Sequence, residues 1–281
     1  MNVINIFFAS DNNYAQPMGV AIYSMLDNFH SDQYKPKITI LDGGISEKNK
    51  SKLLTIGNNF QTQINFTKIS NEIFKNCKYI GRYTLVAYYR LIIPNIIEKE
   101  VKKAIYLDCD ILVIDNIVKL YEKNIENYII GAVQSRNKKE KYFSSGVLLM
   151  NLEKMREEKI TEKALNFAEN VNQKLEYPDQ DILNKVCKNQ WLELENVWNF
   201  EIERSELKVT PSPAILHYIT DFKPWYRFYH NYYQKYYRQY LRKWPDYKIY
   251  NPEIKTAIKQ IIKYIPLTTY LTRRIKNLIN P

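Results

Sequence analysis

Cysteine is scarce in this chain of 281 residues: there are three, Cys77, Cys109 and Cys187. The number is odd and no Cys-x-x-Cys or Cys/His spacing occurs, which argues against both a disulfide framework and a structural zinc site. A reducing compartment is therefore expected. Long apolar runs are also missing, since no stretch approaches the ~18 residues of a membrane-spanning helix. The opening Met-Asn-Val-Ile-Asn-Ile-Phe-Phe-Ala-Ser-Asp-Asn-Asn lacks a basic leader region, so neither secretion nor a transmembrane anchor is expected. No internal repeat is visible.

What the chain does have is an uneven charge. The net charge is +11 and the composition 45% hydrophobic, enough for one large buried core and an appendage. From Lys223 to Pro281 there are thirteen Lys and Arg against two Asp and Glu, whereas the first 222 residues hold 28 of each sign. The same last fifth carries eleven of the 24 tyrosines. This split suggests a separate task for the tail.

The apolar run Val3 to Ala9 ends in Ser10-Asp11-Asn12-Asn13, which reads as a buried parallel strand. Gln16 to Phe29 places Met18, Ile22, Met25, Leu26 and Phe29 at helical spacing, and Lys37 to Leu41 reads as a strand closed by Asp42-Gly43-Gly44. Further strands are expected at Gln63 to Thr67, Lys103 to Leu107, Tyr128 to Val133 and Val147 to Asn151. Helices are expected around Leu85 to Ile93, Leu152 to Asn170 and Gln180 to Cys187. Such alternation predicts an α/β sandwich, in which ligands lie beyond the carboxyl ends of the strands.

Polar residues just after strands therefore matter most. Asp108 and Asp110 follow the run Ala-Ile-Tyr-Leu. Carboxylates two apart on extended chain share a face and can grip one hard cation, which in turn can hold a diphosphate. The plainer alternative is a pair of solvated turn residues. Asp11, Asn13 and Tyr14 after the first strand suit a base edge, ribose hydroxyls and stacking, or else form an ordinary Asx turn. His217 follows Ala214-Ile215-Leu216 and precedes Lys223-Pro224-Trp225 by six residues. Imidazole suits a manganese-like ion and the lysine a phosphate, although a histidine at a strand end is often structural. Asp179-Gln180-Asp181 follows Tyr177-Pro178 at a helix start, where a carboxylate also caps free amides.

Taken in order, these segments resemble the family 8 retaining glycosyltransferases, most closely bacterial galactosyl- and glucosyltransferases that build lipooligosaccharide. The order is Phe8-Ala9-Ser10-Asp11-Asn12-Asn13-Tyr14, Leu41-Asp42-Gly43-Gly44-Ile45-Ser46, Tyr89-Arg90-Leu91, then Tyr106-Leu107-Asp108-Cys109-Asp110. Phe143-Ser144-Ser145-Gly146-Val147-Leu148-Leu149, Asp179-Gln180-Asp181-Ile182-Leu183-Asn184, His217-Tyr218 and Lys223-Pro224-Trp225 follow. The resemblance implies a GT-A type nucleotide-binding sandwich around a mainly parallel twisted sheet. It also implies manganese, or alternatively magnesium, held by Asp108, Asp110 and His217. Ala9, Asp11, Asn13, Tyr14, Asp108, Thr220 and Lys223 would then bind the nucleotide, while Arg90, Ser144, Ser145, Asp179 and Gln180 line the donor sugar. The implied reaction moves glucose or galactose from UDP to a glycan or glycolipid acceptor such as lipopolysaccharide. Retention requires either a covalent intermediate or same-face attack; same-face attack is preferred, because the best-placed group, Gln180, is an amide and a poor nucleophile, with Gln180 and Asp179 orienting the sugar and Asp181 as the reserve nucleophile.

Two departures from the family pattern bear on specificity. Relatives commonly have Phe-Asn-Ala-Gly or Phe-Asn-Ser-Gly where this chain has Phe143-Ser144-Ser145-Gly146, so an amide near the donor sugar becomes a hydroxyl. Close relatives also have glycine between the histidine and the lysine, where Thr220 stands here.

The expected organisation is a catalytic unit over residues 1–222, its site completed by 223–225, with a basic, tyrosine-rich helical extension over 223–281. Basic amphipathic stretches with interfacial aromatics suit an anionic membrane surface, which predicts a cytoplasmic protein peripheral at the inner face of the membrane. The alternatives are a helical cap on the catalytic unit, a nucleotidyl-transferring or non-catalytic nucleotide-binding protein, and nucleic-acid binding through the tail. Nucleic acid is not the expected partner, since nothing outside the tail points to it.

Overall fold

The computed structural model describes residues 1–77, 84–136, 138, 140–172, 175–202 and 212–252. Strand β1 (Asn2–Ser10) is buried from Ile4 through Ser10, as a strand covered on both faces must be. Its side chains alternate between two layers. Ile4, Ile6 and Phe8 pack with Met18, Ala21, Ile22 and Met25 of helix α1 (Ala15–Asp27), while Phe7 and Ala9 face a second cluster with Tyr88, Leu91, Met155 and Ile182.

The chain then builds outward on one side of β1. β2 (Tyr34–Asp42) runs parallel to β1 from Asn2↔Tyr34 to Ser10↔Asp42. After α2 (Glu47–Asn59), β3 (Gln63–Lys68) adds parallel to β2. A 3-10 helix, Leu85–Ile92, runs into the short α3 (Ile93–Ile96), where Pro94 enters the first turn. β4 (Lys103–Leu107) then lands on the opposite side of β1. This reversal of direction opens a crevice at the carboxyl ends of β1 and β4, with Asp11 and Asp108 on its two lips.

Beyond β4 come β5 (Ile111–Val113), α4 (Val118–Tyr121), β6 (Ile130–Val133) and β7 (Val147–Asn151). They are followed by α5 (Leu152–Glu157), α6 (Ile160–Asn170), α7 (Pro178–Val186) and β8 (Trp191–Leu194). The main sheet has the order β3-β2-β1-β4-β7-β6-β8, and β7 alone runs against its neighbours. The expected α/β sandwich with a mainly parallel sheet is present. A second, three-stranded sheet joins β5 to β10 (Ile215–His217) and β9 (Phe200–Glu201).

Several elements differ from the sequence expectation. The long helix over Leu152 to Asn170 is two helices, broken at Lys159 in the left-handed region (φ 51°). The break lets Leu152 and Met155 bury on one helix and Ile160, Ala164 and Ala168 on the next. Arg156 fixes the end of α5 by donating to the carbonyls of Pro94, Glu98 and Val101. The segment Leu85 to Ile93 is 3-10 rather than α-helical, and α7 starts at Pro178 rather than Gln180.

The described part of the tail is a cap on the fold. α8 (Gln234–Leu241) and the segment before it bury Phe222, Trp225, Tyr229, Tyr233, Tyr237 and Leu241 against Val20, Leu112, Phe200, Leu216 and Tyr218. Each such apolar side chain taken from water contributes about 1.5–3 kcal/mol. Gln16 ties the cap further by bonding both the N–H and the carbonyl of Lys248. The part of the expected basic extension after Pro252 lies outside the described residues.

Candidate active site

Three elements meet at the carboxyl end of β4. Asp108 is pinned by its own backbone, whose N–H donates to the Gly146 carbonyl at 2.8 Å. Asp110 precedes β5, which pairs antiparallel with β10 and thereby brings Ile111 opposite His217. One ligand atom each of Asp108, Asp110 and His217 falls within 4.8 Å of the others. The His217 Nε2 lies 3.2 Å from Asp110 Oδ1 and 3.9 Å from Asp108 Oδ2.

Two cations flank the carboxylates. Arg90, from the 3-10 helix, donates to Asp108 Oδ1 at 2.8 Å, and the Tyr106 hydroxyl donates to the same oxygen at 2.9 Å. Lys223 donates to Asp110 Oδ2 at 2.6 Å and to the Tyr218 carbonyl at 2.7 Å. Burial works against the charged form of Asp110, but Lys223 and His217 drive its carboxyl well below the ordinary range. For Asp108 burial prevails over Arg90, and the nearby Asp110 adds to it, so its pKa is raised. Burial alone would lower His217, yet the two aspartates overcome it and raise its pKa.

These donors fit a divalent cation. Two carboxylates and an imidazole are the ligand set of a manganese-like ion, and the space beside them is kept clear by a glycine. A Cβ added to Gly146 would lie 2.2 Å from His217 Cε1 and 3.0 Å from Asp108 Oδ2. The imidazole is oriented from behind by Asn199, whose Oδ1 is 2.9 Å from His217 Nδ1.

A second network joins the first at Asp108. Besides that carboxylate, Arg90 contacts the Ser145 carbonyl at 2.8 Å and Asp179 Oδ2 at 3.2 Å. Ser145 donates from Oγ to Asp179 Oδ2 and from its N–H to Gln180 Oε1, both at 2.9 Å. The opposing aspartates hold the Arg90 guanidinium firmly protonated despite its burial. Arg90, Ser145, Asp179 and Gln180 therefore form one cluster beside the metal-type trio. Ser144 is buried next to them, its N–H bonded to the Val133 carbonyl. Asp181 has another task. Its Oδ2 accepts from the N–H groups of Glu176 and Tyr177, and its Oδ1 accepts a 2.5 Å bond from the Tyr142 hydroxyl. That is the capping arrangement of a helix start, not the exposed carboxylate of a nucleophile.

On the other lip of the crevice, Asp11 Oδ1 accepts from the N–H groups of Asn13 and Tyr14 and forms the Asx turn that starts α1. The Ala9 carbonyl accepts from the Cys109 thiol at 3.1 Å, which links this lip to the two aspartates. Tyr14 meets Trp225 edge-on at 5.7 Å. A cavity of about 570 Å³ is lined by Asn13, Tyr14, Lys52, Trp225 and Trp244 among others, and by none of Arg90, Asp108, Asp110, Asp179 or His217. Thr220 donates to the Phe222 carbonyl at 2.9 Å and so shapes the turn leading into Lys223. The sequence alone did not single out Asn199, the hydroxyl of Tyr106 or the clearance role of Gly146, although Tyr106 and Gly146 both belong to segments that carry the family resemblance.

The chain is also similar to known proteins. Residues 5–228 match the sequence model of Glycosyl transferase family 8. General stress protein A of Bacillus subtilis is 32% identical over 251 residues, covering 79% of this chain and 87% of that protein. The lipopolysaccharide 1,2-glucosyltransferase of Escherichia coli is 25% identical, covering 80% and 73%. Among solved structures, the galactosyltransferase LgtC in complex with donor and acceptor sugar analogs superposes with a TM-score of 0.76 at 26% identity, covering 86% of this chain and 96% of LgtC.

Proposed function

The chain belongs to glycosyltransferase family 8 and has the GT-A fold, and on that premise we propose that it moves glucose or galactose from a UDP-sugar to a cell-surface glycan acceptor, with retention and with manganese as cofactor. The observation that carries this reading is the convergence of Asp108, Asp110 and His217 from β4, the turn before β5 and β10. Lys223 stands against the Asp110 carboxylate. Magnesium is the alternative ion.

In this reading Asp108, Asp110 and His217 hold the cation, which when bound supplies Lewis-acid stabilisation to the charge developing on the UDP leaving group. Lys223 provides a second positive charge for the diphosphate. Asp11, Asn13 and Tyr14 hold the nucleoside, with Ala9 and Thr220 contributing backbone and turn. Arg90, Ser144, Ser145, Asp179 and Gln180 line the donor sugar.

The chemistry breaks the bond between the sugar C1 and the UDP oxygen and forms one between C1 and the acceptor oxygen. The acceptor's proton passes to the departing phosphate. Same-face attack is favoured because, among the described residues, no carboxylate of the sugar cluster is free to act as a nucleophile. Asp179 is tied to Arg90 and Ser145, and Asp181 caps α7. Gln180 and Asp179 then orient the sugar and stabilise positive charge at C1.

The LgtC complex with sugar analogs and the named lipopolysaccharide transferase support a surface glycan as acceptor. We place the protein at the cytoplasmic face of an anionic membrane, reached through the extension over 223–281. Residues 1–222 plus 223–225 make up the catalytic unit. No helix among the described residues is long and apolar enough to cross a membrane.

The test is UDP release from UDP-glucose and UDP-galactose with manganese, with and without EDTA, by the whole chain and by Asp108→Asn. Release from one donor, abolished by EDTA and reduced at least 100-fold in the variant, is expected. Silence with both donors, together with no UDP binding in calorimetry, would sink the reading.

A further inference from the structure

Among the described residues, two buried side-chain polar atoms lack any hydrogen-bond partner, the Asn199 amide nitrogen and the Tyr237 hydroxyl. Asn199 is fully buried, at 0% exposure. It closes the 3-10 turn Asn196–Asn199, directly before β9, which pairs in parallel with β10 so that Phe200 faces Leu216 and Glu201 faces His217. A buried amide donor with no acceptor is a cost that leucine, similar in size, would not carry. The other end of the same amide makes the one bond that offsets it, at 2.9 Å to His217 Nδ1.

That bond decides which ring nitrogen is free. A neutral imidazole carries one proton, and a cation can be taken only by the nitrogen without it. With Asn199 Oδ1 accepting from Nδ1–H, the lone pair sits on Nε2, which faces the Asp108 and Asp110 oxygens. Gly146 lies close to the Nδ1 side of the ring, since a Cβ there would fall 2.2 Å from Cε1 and 2.8 Å from Nδ1. The ring is therefore positioned by a backbone that leaves no slack beside Nδ1 and an acceptor that selects the tautomer. We propose that Asn199 is a positioning residue for the metal site, holding His217 in the Nδ1–H tautomer with Nε2 presented to the cation. This rests on the metal reading of the trio.

Loss of such an outer partner typically costs 10–100-fold in metal affinity. The experiment titrates the full chain with manganese alone, without nucleotide or sugar, following the free aquo ion by electron paramagnetic resonance. Wild type, Asn199→Leu and Asn199→Asp are compared, with a thermal melt of each. Asn199→Leu is expected to bind manganese about 10–100-fold more weakly with a melting temperature close to wild type, because loss of the orphaned amide donor offsets the partner that His217 Nδ1 loses. Asn199→Asp, whose carboxylate also accepts from Nδ1–H, is expected to keep wild-type affinity or exceed it. Equal affinity in wild type and a folded Asn199→Leu overturns the proposal. If the leucine variant fails to fold, a folded Asn199→Asp that has lost manganese binding overturns it as well. A wild-type chain that takes up no manganese fails at the metal reading itself, and the proposal falls with it.

Discussion

Arg90 and Lys223 hold the two carboxylates of the site from opposite sides, and each side chain is buried. Such ion pairs are costly to assemble and costly to break singly, so they persist where the charge itself is needed. Gly146 shows how little room is left. The methyl group of Gly146→Ala would sit 2.2 Å from His217 and 3.0 Å from Asp108 Oδ2, and neither side chain can retreat from its hydrogen bonds. The variant is expected to lose about 1–3 kcal/mol of stability by overpacking and to lose manganese binding by displacing His217. A denaturant melt and a manganese titration on the same sample check both, and unchanged affinity would refute the clearance argument. The carboxylate pair and the histidine of this site were readable because they close short apolar runs, and the lysine because it stands six residues after the histidine. Asn199 was not, because its partner lies 18 residues away and is reached only through the pairing of β9 with β10.

At the level of elements, the strands β4 and β7 match their expected limits to the residue, since both are apolar runs flanked by polar residues. Helix α2 was not anticipated, for its buried stripe is only Leu53, Ile56 and Gly57, too short to stand out among the polar residues around it. The strands β5, β8 and β9 are two to four residues long and carry too few side chains to show a period. The break between α5 and α6 was invisible for a different reason. Lysine seldom adopts the left-handed region, yet Lys159 does so at φ 51° because tertiary packing demands the turn. An L-residue there costs roughly 1–2 kcal/mol, whereas glycine adds about 0.5–1 kcal/mol of chain entropy to be lost on folding. The difference favours Lys159→Gly by up to about 1.5 kcal/mol. Its thermal midpoint should rise by up to about 6 °C, while a fall would mean that the Lys159 side chain holds the turn itself.

On the scale of the whole molecule, the split between a neutral body and a basic tail takes a form that composition could not show. Trp225, Tyr229, Tyr233, Tyr237 and Trp244 are buried and Tyr226, Tyr232, Tyr236 and Tyr240 are partly buried against the cap, so most of the tail's described aromatics stabilise the fold and are withdrawn from any membrane. What stays outside is smaller and specific. Phe228, Tyr247, Ile249 and Tyr250 are exposed, and Tyr226 bridges to Tyr250, which sets these two stretches side by side. Exposed Arg227, Lys243 and Lys248 accompany them. Each cation near an anionic bilayer is worth about 1 kcal/mol at moderate salt, so three of them give a weak, salt-sensitive attachment that the apolar side chains can strengthen by insertion. The full chain is expected to sediment with vesicles containing phosphatidylserine and not with purely zwitterionic ones, and to be released as salt shortens the Debye length from about 8 Å to about 3 Å. Phe228→Ser, which removes an exposed ring without touching the site, should lower the fraction bound and leave UDP release in solution unchanged. Equal sedimentation with both kinds of vesicle would mean that the positive charge does not direct the protein to membranes, and that the acceptor must be reached in solution.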